Sequence, residues 1–201
     1  MDTIGIIDYG VGNIRSIQNM LWKIDIKSEL VSSSKQLTKY KKIILPGVGA
    51  YDTAISNLKE ANLFNSIQSF SEQGYILGIC LGMQILGDSS EEGIMQGLGL
   101  IPGKVIKFDS KKVSVPHIGW NYVEYNDDIF TNNLEEDQRY FFVHSYFYNC
   151  YDIKNSVGVT NYDSKFSSVI SNNTNVFGTQ FHPEKSHIFG KKLLKNFYEL
   201  Y

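Results

Sequence analysis

One thiol sits between two glycines in the segment Gly78-Ile79-Cys80-Leu81-Gly82. An apolar run, Tyr75-Ile76-Leu77, precedes it, and a short amphipathic stretch, Met83-Gln84-Ile85-Leu86, follows. That order predicts a buried strand, a sharp turn and a helix with Cys80 at the turn, the arrangement of a nucleophile elbow with Cys in place of Ser. Residues in such a turn take strained backbone angles, and a Cβ at position 78 or 82 would collide with strand or helix. The Leu81 amide would open the helix and face a developing oxyanion, while the positive helix end favours thiolate over thiol. An inert structural cysteine in a glycine-rich packing contact fits the pentapeptide equally well.

The far end of the chain separates these two readings. Val176-Phe177-Gly178-Thr179-Gln180-Phe181-His182-Pro183-Glu184-Lys185-Ser186 reads as a strand running into a loop and then a helix. In extended backbone His182 and Glu184 project to the same side. Pro183 fixes its own φ and biases His182 towards extended geometry. An imidazole beside a carboxylate is a base with its orienter, so with Cys80 it would complete a nucleophile–base–acid set. The pair also reads as a helix start at Ser186 with a solvated Glu184, or as a His-x-Glu metal fragment. For the latter His187 would have to turn back across a helix start, and no second ligand cluster stands in the sequence. About a hundred residues separate Cys80 from His182, so only the fold can join them.

The elements that must do so alternate in the first half of the chain. Strands are predicted over Thr3 to Asp8, Ser28 to Val31, Lys42 to Leu45 and Tyr75 to Ile79, with helices over Asn13 to Lys23, Thr53 to Lys59 and Leu63 to Glu72. Such alternation implies a parallel sheet flanked by helices. The second half predicts strands over Lys104 to Phe108, Asn121 to Tyr125, Tyr140 to Ser145, Ser156 to Thr160, Ser167 to Ser171 and Val176 to Phe181, then a helix from Ser186 to Tyr201. The expected fold class is α/β, an open, mostly parallel mixed sheet with antiparallel additions, in one domain over residues 1–201. Ligands bind beyond the carboxyl ends of strands in such sheets. Pro46-Gly47-Val48-Gly49 follows the strand Ile43-Ile44-Leu45, so an amide of the Val48-Gly49 segment is assigned with that of Leu81 to an oxyanion hole. Gly10-Val11-Gly12-Asn13 lacks the third glycine and the acidic ribose ligand of a dinucleotide loop, and that reading is rejected.

Gly78 to Gln84 and His182 to Ser186 resemble the signatures of class I (triad) glutamine amidotransferases. Further segments resemble one branch of that family, the glutaminase subunits of imidazole glycerol phosphate synthases. They are Gly5 to Asn13, Pro46 to Tyr51, Gly97 to Gly103, Val115 to Asn121 and Tyr140 to Tyr146. The resemblance spans nearly the whole chain. It implies a flavodoxin-like three-layer fold and a Cys80–His182–Glu184 triad that hydrolyses glutamine without a cofactor or metal. It further implies that Gln84 binds the glutamine, with Gly47 and the backbone of Ser145 and Tyr146 beside it. The second oxyanion amide, at Val48-Gly49, is expected to turn inward when an effector binds the partner. His144, a lone histidine at a strand end, receives no proton-transfer role.

The signatures run from residue 46 to residue 186, so the ammonia-using chemistry is expected on another polypeptide. The resemblance makes that partner a (β/α)8-barrel cyclase of histidine biosynthesis, in a heterodimer. Trp120, read as an exposed tryptophan in a turn, is the expected interface anchor, with Asn13, Tyr146 and Lys185 near the ammonia exit. Two other readings stand beside this one: a paralogous ammonia supplier for a sugar amidotransferase of surface polysaccharide synthesis, and a non-catalytic partner-binding module of the same fold.

Composition bounds the rest. The chain has 201 residues, of which 42% are hydrophobic and 20% charged, ordinary values for a globular protein with a sound core. A net charge of −2 gives no electrostatic reason to expect nucleic acid. Two cysteines are too few for a disulfide framework or a zinc site, and Cys150 is read as core or surface filler. Lys191, Lys192 and Lys195 are read as a solvated helix face. No signal peptide, lipidation motif or long apolar run appears, so a cytoplasmic protein without a membrane anchor is expected.

Overall fold

The computed structural model describes residues 2–134, 138–162 and 164–200. The first half alternates as the apolar runs predict: β1 (Ile4–Ile7), α1 (Ile14–Trp22), β2 (Ser28–Val31), α2 (Ser34–Leu37), β3 (Lys42–Leu45), α3 (Tyr51–Glu60), α4 (Phe64–Phe70) and β4 (Tyr75–Ile79). The short α5 (Leu81–Gln84) follows, then β5 (Ser89–Ser90), β6 (Gly103–Lys107), β7 (His117–Tyr122), β8 (Glu124–Tyr125), β9 (Arg139–His144) and β10 (Tyr146–Cys150). The chain closes with β11 (Ser156–Tyr162), β12 (Ser164–Ser171), β13 (Val176–Thr179) and α6 (His187–Glu199). The predicted end of the last helix at Tyr201 lies outside the described residues.

Several elements differ from expectation. The single strand expected over Asn121 to Tyr125 is two, because β7 pairs with β9 while β8 pairs with β11 in the other sheet. Val123 lies between them and is fully buried. Tyr146 to Cys150, beyond the predicted end of a strand at Ser145, is itself a strand bonded to both β6 and β12. The helix α2 carries a capping box between Ser33 and Gln36, a local signal strong enough to fold a segment with almost no apolar face.

The main sheet runs β2-β1-β3-β4-β13-β12-β10-β6-β5, with β11 on β12 and β8 on β11. Pairs from β2 to β13 are parallel, and β12, β10 and β11 add antiparallel neighbours. The architecture is an open mixed sheet flanked by helices. Side chains alternate across it as a pleat demands. Ile4, Ile6, Ile44 and Leu77 face Ile17, Leu21, Leu193 and Phe197 of α1 and α6. Ile7, Ile43, Leu45 and Ile76 face Tyr51, Leu58 and Ile67 of α3 and α4. These strands are apolar on both faces because helices cover both.

A polar clasp sets the central pair. Asn172 Oδ1 accepts the amides of Thr174, Asn175 and Val176, and Asn175 Nδ2 donates to the carbonyls of Ser71 and Gly74 at 2.6 and 2.8 Å. This ties the start of β13 to the turn that starts β4, so the carboxyl ends of these strands emerge side by side. Among the described residues no helix is long and apolar enough to cross a membrane.

Candidate active site

Three strand ends meet at Cys80. β4 lies between β3 and β13, with Leu45 opposite Gly78 on one side and Thr179 opposite Ile79 on the other. The segments after β3 and β13 therefore leave the sheet on either side of the residue after β4. Cys80 donates its amide to the Thr179 carbonyl at 2.7 Å and then turns sharply, with φ 56° and ψ −112°. This is rarely occupied backbone for a side chain with a Cβ, and such strain is stored at sites that use it.

The glycines around Cys80 permit the turn. A Cβ on Gly78 would lie 2.6 Å from the Gly82 carbonyl oxygen, and one on Gly82 would run into the Leu45 carbonyl. A Cβ on Gly47 would meet the Gly82 nitrogen at 2.5 Å and Leu81 Cβ at 2.8 Å. Gly47 thus lets the loop after β3 press against the start of α5. The collisions expected at 78 and 82 are both present; the neighbour at 82 is the adjoining strand β3. Leu81 opens α5, where its amide has no intrahelical acceptor.

His182 and Glu184 approach from the other side. His182 Nδ1 lies 2.8 Å from Glu184 Oε1, and both side chains are almost wholly buried. A carboxylate only accepts, so Nδ1 carries a proton and Nε2 is the nitrogen left for proton exchange at the site. Nε2 has no conventional hydrogen-bond partner among the described residues. Burial works against charge on this imidazole, but the Cys80 thiol and the Glu184 carboxylate outweigh it and hold its pKa above the usual histidine value. The His182 backbone is held as well: its amide donates to the Phe141 carbonyl at 2.9 Å, and its carbonyl accepts from Ser186 Oγ at 2.6 Å. Ser186 Oγ in turn accepts the Phe141 amide at 3.0 Å, so β9 and the start of α6 clamp the turn between them.

Cys80 is 7% exposed, at the wall of a cavity of about 400 Å³ rather than sealed in the core. Val48, Gly49, Leu81, Gln84, Ser145 and Tyr146 line the same cavity. Gly49 has φ +109° with open space where a Cβ would stand, so glycine is required there for backbone conformation and not for packing. Under this loop, the buried Tyr9 hydroxyl donates to the Pro46 carbonyl at 2.6 Å. A Cβ on Gly12 would strike Pro46 Cβ at 2.9 Å. The Gly10-to-Asn13 segment is therefore a support for the Pro46–Gly49 loop.

Two cavity neighbours escaped the sequence reading. Glu92 lines the cavity, and its Oε2 accepts the Tyr51 amide at 3.1 Å, at the start of α3. Burial raises its pKa against that amide bond, with help from Asp52. The Asp52 carboxylate accepts the amides of Ile94 and Met95 and so fixes the loop that carries Glu92. Gln180 is wholly buried and links Gln84 to Cys80. Its signal was available, because Gln180, His182 and Glu184 are spaced by two, and the period that pairs the last two also includes the first.

The residues expected at a partner interface fall less neatly. Trp120 lies in strand β7 and not in a turn, 44% exposed. Its ring stacks on His187 at 5.4 Å and meets Phe141 edge-on at 6.1 Å. Lys185 is exposed, with its ammonium 5.5 Å from the Phe141 ring. Asn13 immediately precedes α1, which packs against the same 183–185 turn. Cys150 sits in β10 away from the cavity, and burial pushes its thiol up to about 11, which keeps it protonated and unreactive.

A profile of the family described as glutamine amidotransferase class-I matches residues 5–200. A Methanococcus maripaludis protein named imidazole glycerol phosphate synthase subunit HisH 2 is 46% identical, over 96% of this chain and 98% of its own length. A Leptospira interrogans protein named imidazole glycerol phosphate synthase subunit HisH is 41% identical, over 98% and 100%. Among solved structures, PurLQS from Thermotoga maritima superposes with a TM-score of 0.77 at 25% identity, covering 98% of each chain. A crystal structure titled glutamine amidotransferase gives 0.76 at 16% identity, covering 98% of this chain and 99% of that one, and speaks for the fold alone.

Proposed function

The chain belongs to the class-I glutamine amidotransferase family, and from that premise we propose that it is the glutaminase subunit of an imidazole glycerol phosphate synthase, with Cys80, His182 and Glu184 as its catalytic residues. The observation that carries this reading is the convergence of Cys80 and His182 at one cavity wall, with Nδ1 of the imidazole already committed to the Glu184 carboxylate behind it.

The chemistry follows from that commitment. His182 Nε2 takes the Cys80 proton as the sulfur attacks the carboxamide carbon of glutamine. The carbonyl oxygen becomes an oxyanion facing the Leu81 amide and an amide of the Val48-Gly49 segment; one such donor contributes about 3–4 kcal/mol to the transition state. The proton passes from His182 to the leaving nitrogen, ammonia departs and a thioester remains. Water then gives a proton to the same Nε2 while its oxygen attacks the thioester, which releases glutamate and restores the thiol. Gln84, Gly47 and the backbone at Ser145 and Tyr146 hold the substrate. Glu92 supplies the negative charge that an α-ammonium group requires at the cavity wall. Ammonia passes to a (β/α)8-barrel cyclase docked over the face that carries Trp120, Lys185 and Asn13.

The test is glutamate release from glutamine by the chain assembled with its cyclase and nucleotide substrate. Cys80→Ala is expected to abolish it, and undiminished turnover would refute the nucleophile. Co-purification from the native host identifies the acceptor: a barrel cyclase supports this reading, whereas a sugar-modifying enzyme in its place moves the chain to another pathway.

A further inference from the structure

Gln180 belongs to neither the catalytic set nor the substrate contacts above, yet it is 0% exposed and touches both. The orientation of its carboxamide can be derived from a group that has no ambiguity. The Tyr146 carbonyl can only accept, and Gln84 Nε2 lies 3.1 Å from it. The nitrogen of Gln84 is therefore the atom on that side. The same nitrogen lies 3.1 Å from the Gln180 terminal oxygen, so both N–H bonds of Gln84 are committed, one to Tyr146 and one to Gln180. With its oxygen facing Gln84, Gln180 must turn its nitrogen the other way, and that nitrogen stands 3.8 Å from Cys80 Sγ. His144 Nδ1, 2.8 Å from the Tyr146 carbonyl, fills the second lone pair of that oxygen.

We propose that Gln180 is a positioning residue: its N–H bond orients the Cys80 sulfur and stabilises negative charge on it, and its carbonyl locks Gln84 with Oε1 as the one atom left to meet the substrate. One side chain thereby couples nucleophile and substrate site. The proposal rests on the reading of Cys80 as the nucleophile of glutamine hydrolysis.

Two variants separate the two halves of the bridge. Gln180→Met removes donor and acceptor at similar volume; Gln180→Glu keeps an acceptor for Gln84 but sets a carboxylate beside the sulfur. The first readout is Cys80 alkylation by iodoacetamide in the isolated full-length chain. Near neutral pH both variants are expected to react about tenfold more slowly, the order of one hydrogen bond to a charged acceptor. At a pH that ionises any thiol, the rates should converge with that of the unaltered chain. The second readout is glutaminase kinetics in the complex with cyclase and nucleotide. There kcat is expected to fall in both variants, and KM for glutamine to rise several-fold only in Gln180→Met, where Gln84 is released. Alkylation and KM matching the unaltered chain in a Gln180→Met protein with an unchanged melting temperature would overturn the inference. Should that variant fail to fold, an unchanged alkylation rate in Gln180→Glu would overturn it equally. An unaltered complex that releases no glutamate would instead refute the assigned reaction, so the two failures are distinct.

Discussion

At the scale of the residue, the site depends on which atom of His182 holds a proton, and Glu184 decides that. The carboxylate fixes the proton on Nδ1 and also helps to keep the imidazole basic, against the effect of burial. Replacing it with a neutral amide removes one of the two groups that favour imidazolium. In Glu184→Gln the titration of His182, followed by NMR of labelled histidine, is therefore expected to move to lower pH. Glutamine turnover should fall by about 100-fold, the lower range for a displaced general base. An unmoved titration would mean that the carboxylate does not act on the ring. Oxyanion geometry is likewise a residue-scale matter: Cys80 itself takes the positive φ that the elbow needs, whereas the flanking glycines relieve backbone collisions.

At the scale of the element, β9 of the pair β7–β9 lines the cavity with Val143 and His144, and the pair contains a second group of titratable residues. His117 and His144 face each other in register, with His117 Nδ1 3.0 Å from His144 Nε2. Burial keeps both rings neutral in the folded chain. His144 Nδ1 must donate to the Tyr146 carbonyl, so in the neutral ring Nε2 accepts, and His117 Nδ1 donates to it. Burial lowers His117 to about 4. His144 falls to about 3, chiefly through burial, against the Tyr146 bond and with His117 and His182 adding to it. The unfolded chain takes up these protons near pH 6.5, well above the folded values. Stability from this pair is complete above about pH 6.5 and is lost as pH falls towards 4, by roughly 1.4 kcal/mol per pH unit for each ring left unprotonated. His182, raised instead of lowered, acts in the opposite sense: its contribution is complete below about pH 6.5 and is lost only on the alkaline side. Urea unfolding between pH 7 and pH 5 should show midpoints falling with acidity, and a flatter trend in His117→Gln. Midpoints that are level across that range in the unaltered chain would rule out a neutral, buried pair.

At the scale of the whole molecule, β7, which follows the cavity-lining Pro116, exposes Ile118, Trp120 and Tyr122, an apolar surface of the kind that proteins bury on partners. The chain alone is expected to hydrolyse glutamine slowly and to be stimulated by the cyclase with its nucleotide bound; equal rates with and without them would remove gating by the partner. Much of this was determined by sequence. Apolar runs and glycine spacing specify β1, β3, β4 and β13, the turn at Cys80, and the pairing of His182 with Glu184, because strand period and backbone sterics act over a few residues. The same local reasoning could not see that Asn121 to Tyr125 divides between two sheets, or that Tyr146 to Cys150 pairs on both edges. Which neighbour a strand finds depends on loop closure across long separations. Nor could it see that Glu92 faces the cavity, since neither type nor spacing distinguishes a polar side chain aimed at a substrate from one aimed at water; Gln180 shares the period of His182 and Glu184, but its meeting with Gln84 and Cys80 is made only by the fold. The meeting of Cys80 and His182 was a tertiary decision, made by the parallel register of β4 and β13, which brings two residues about a hundred positions apart to the same end of one sheet.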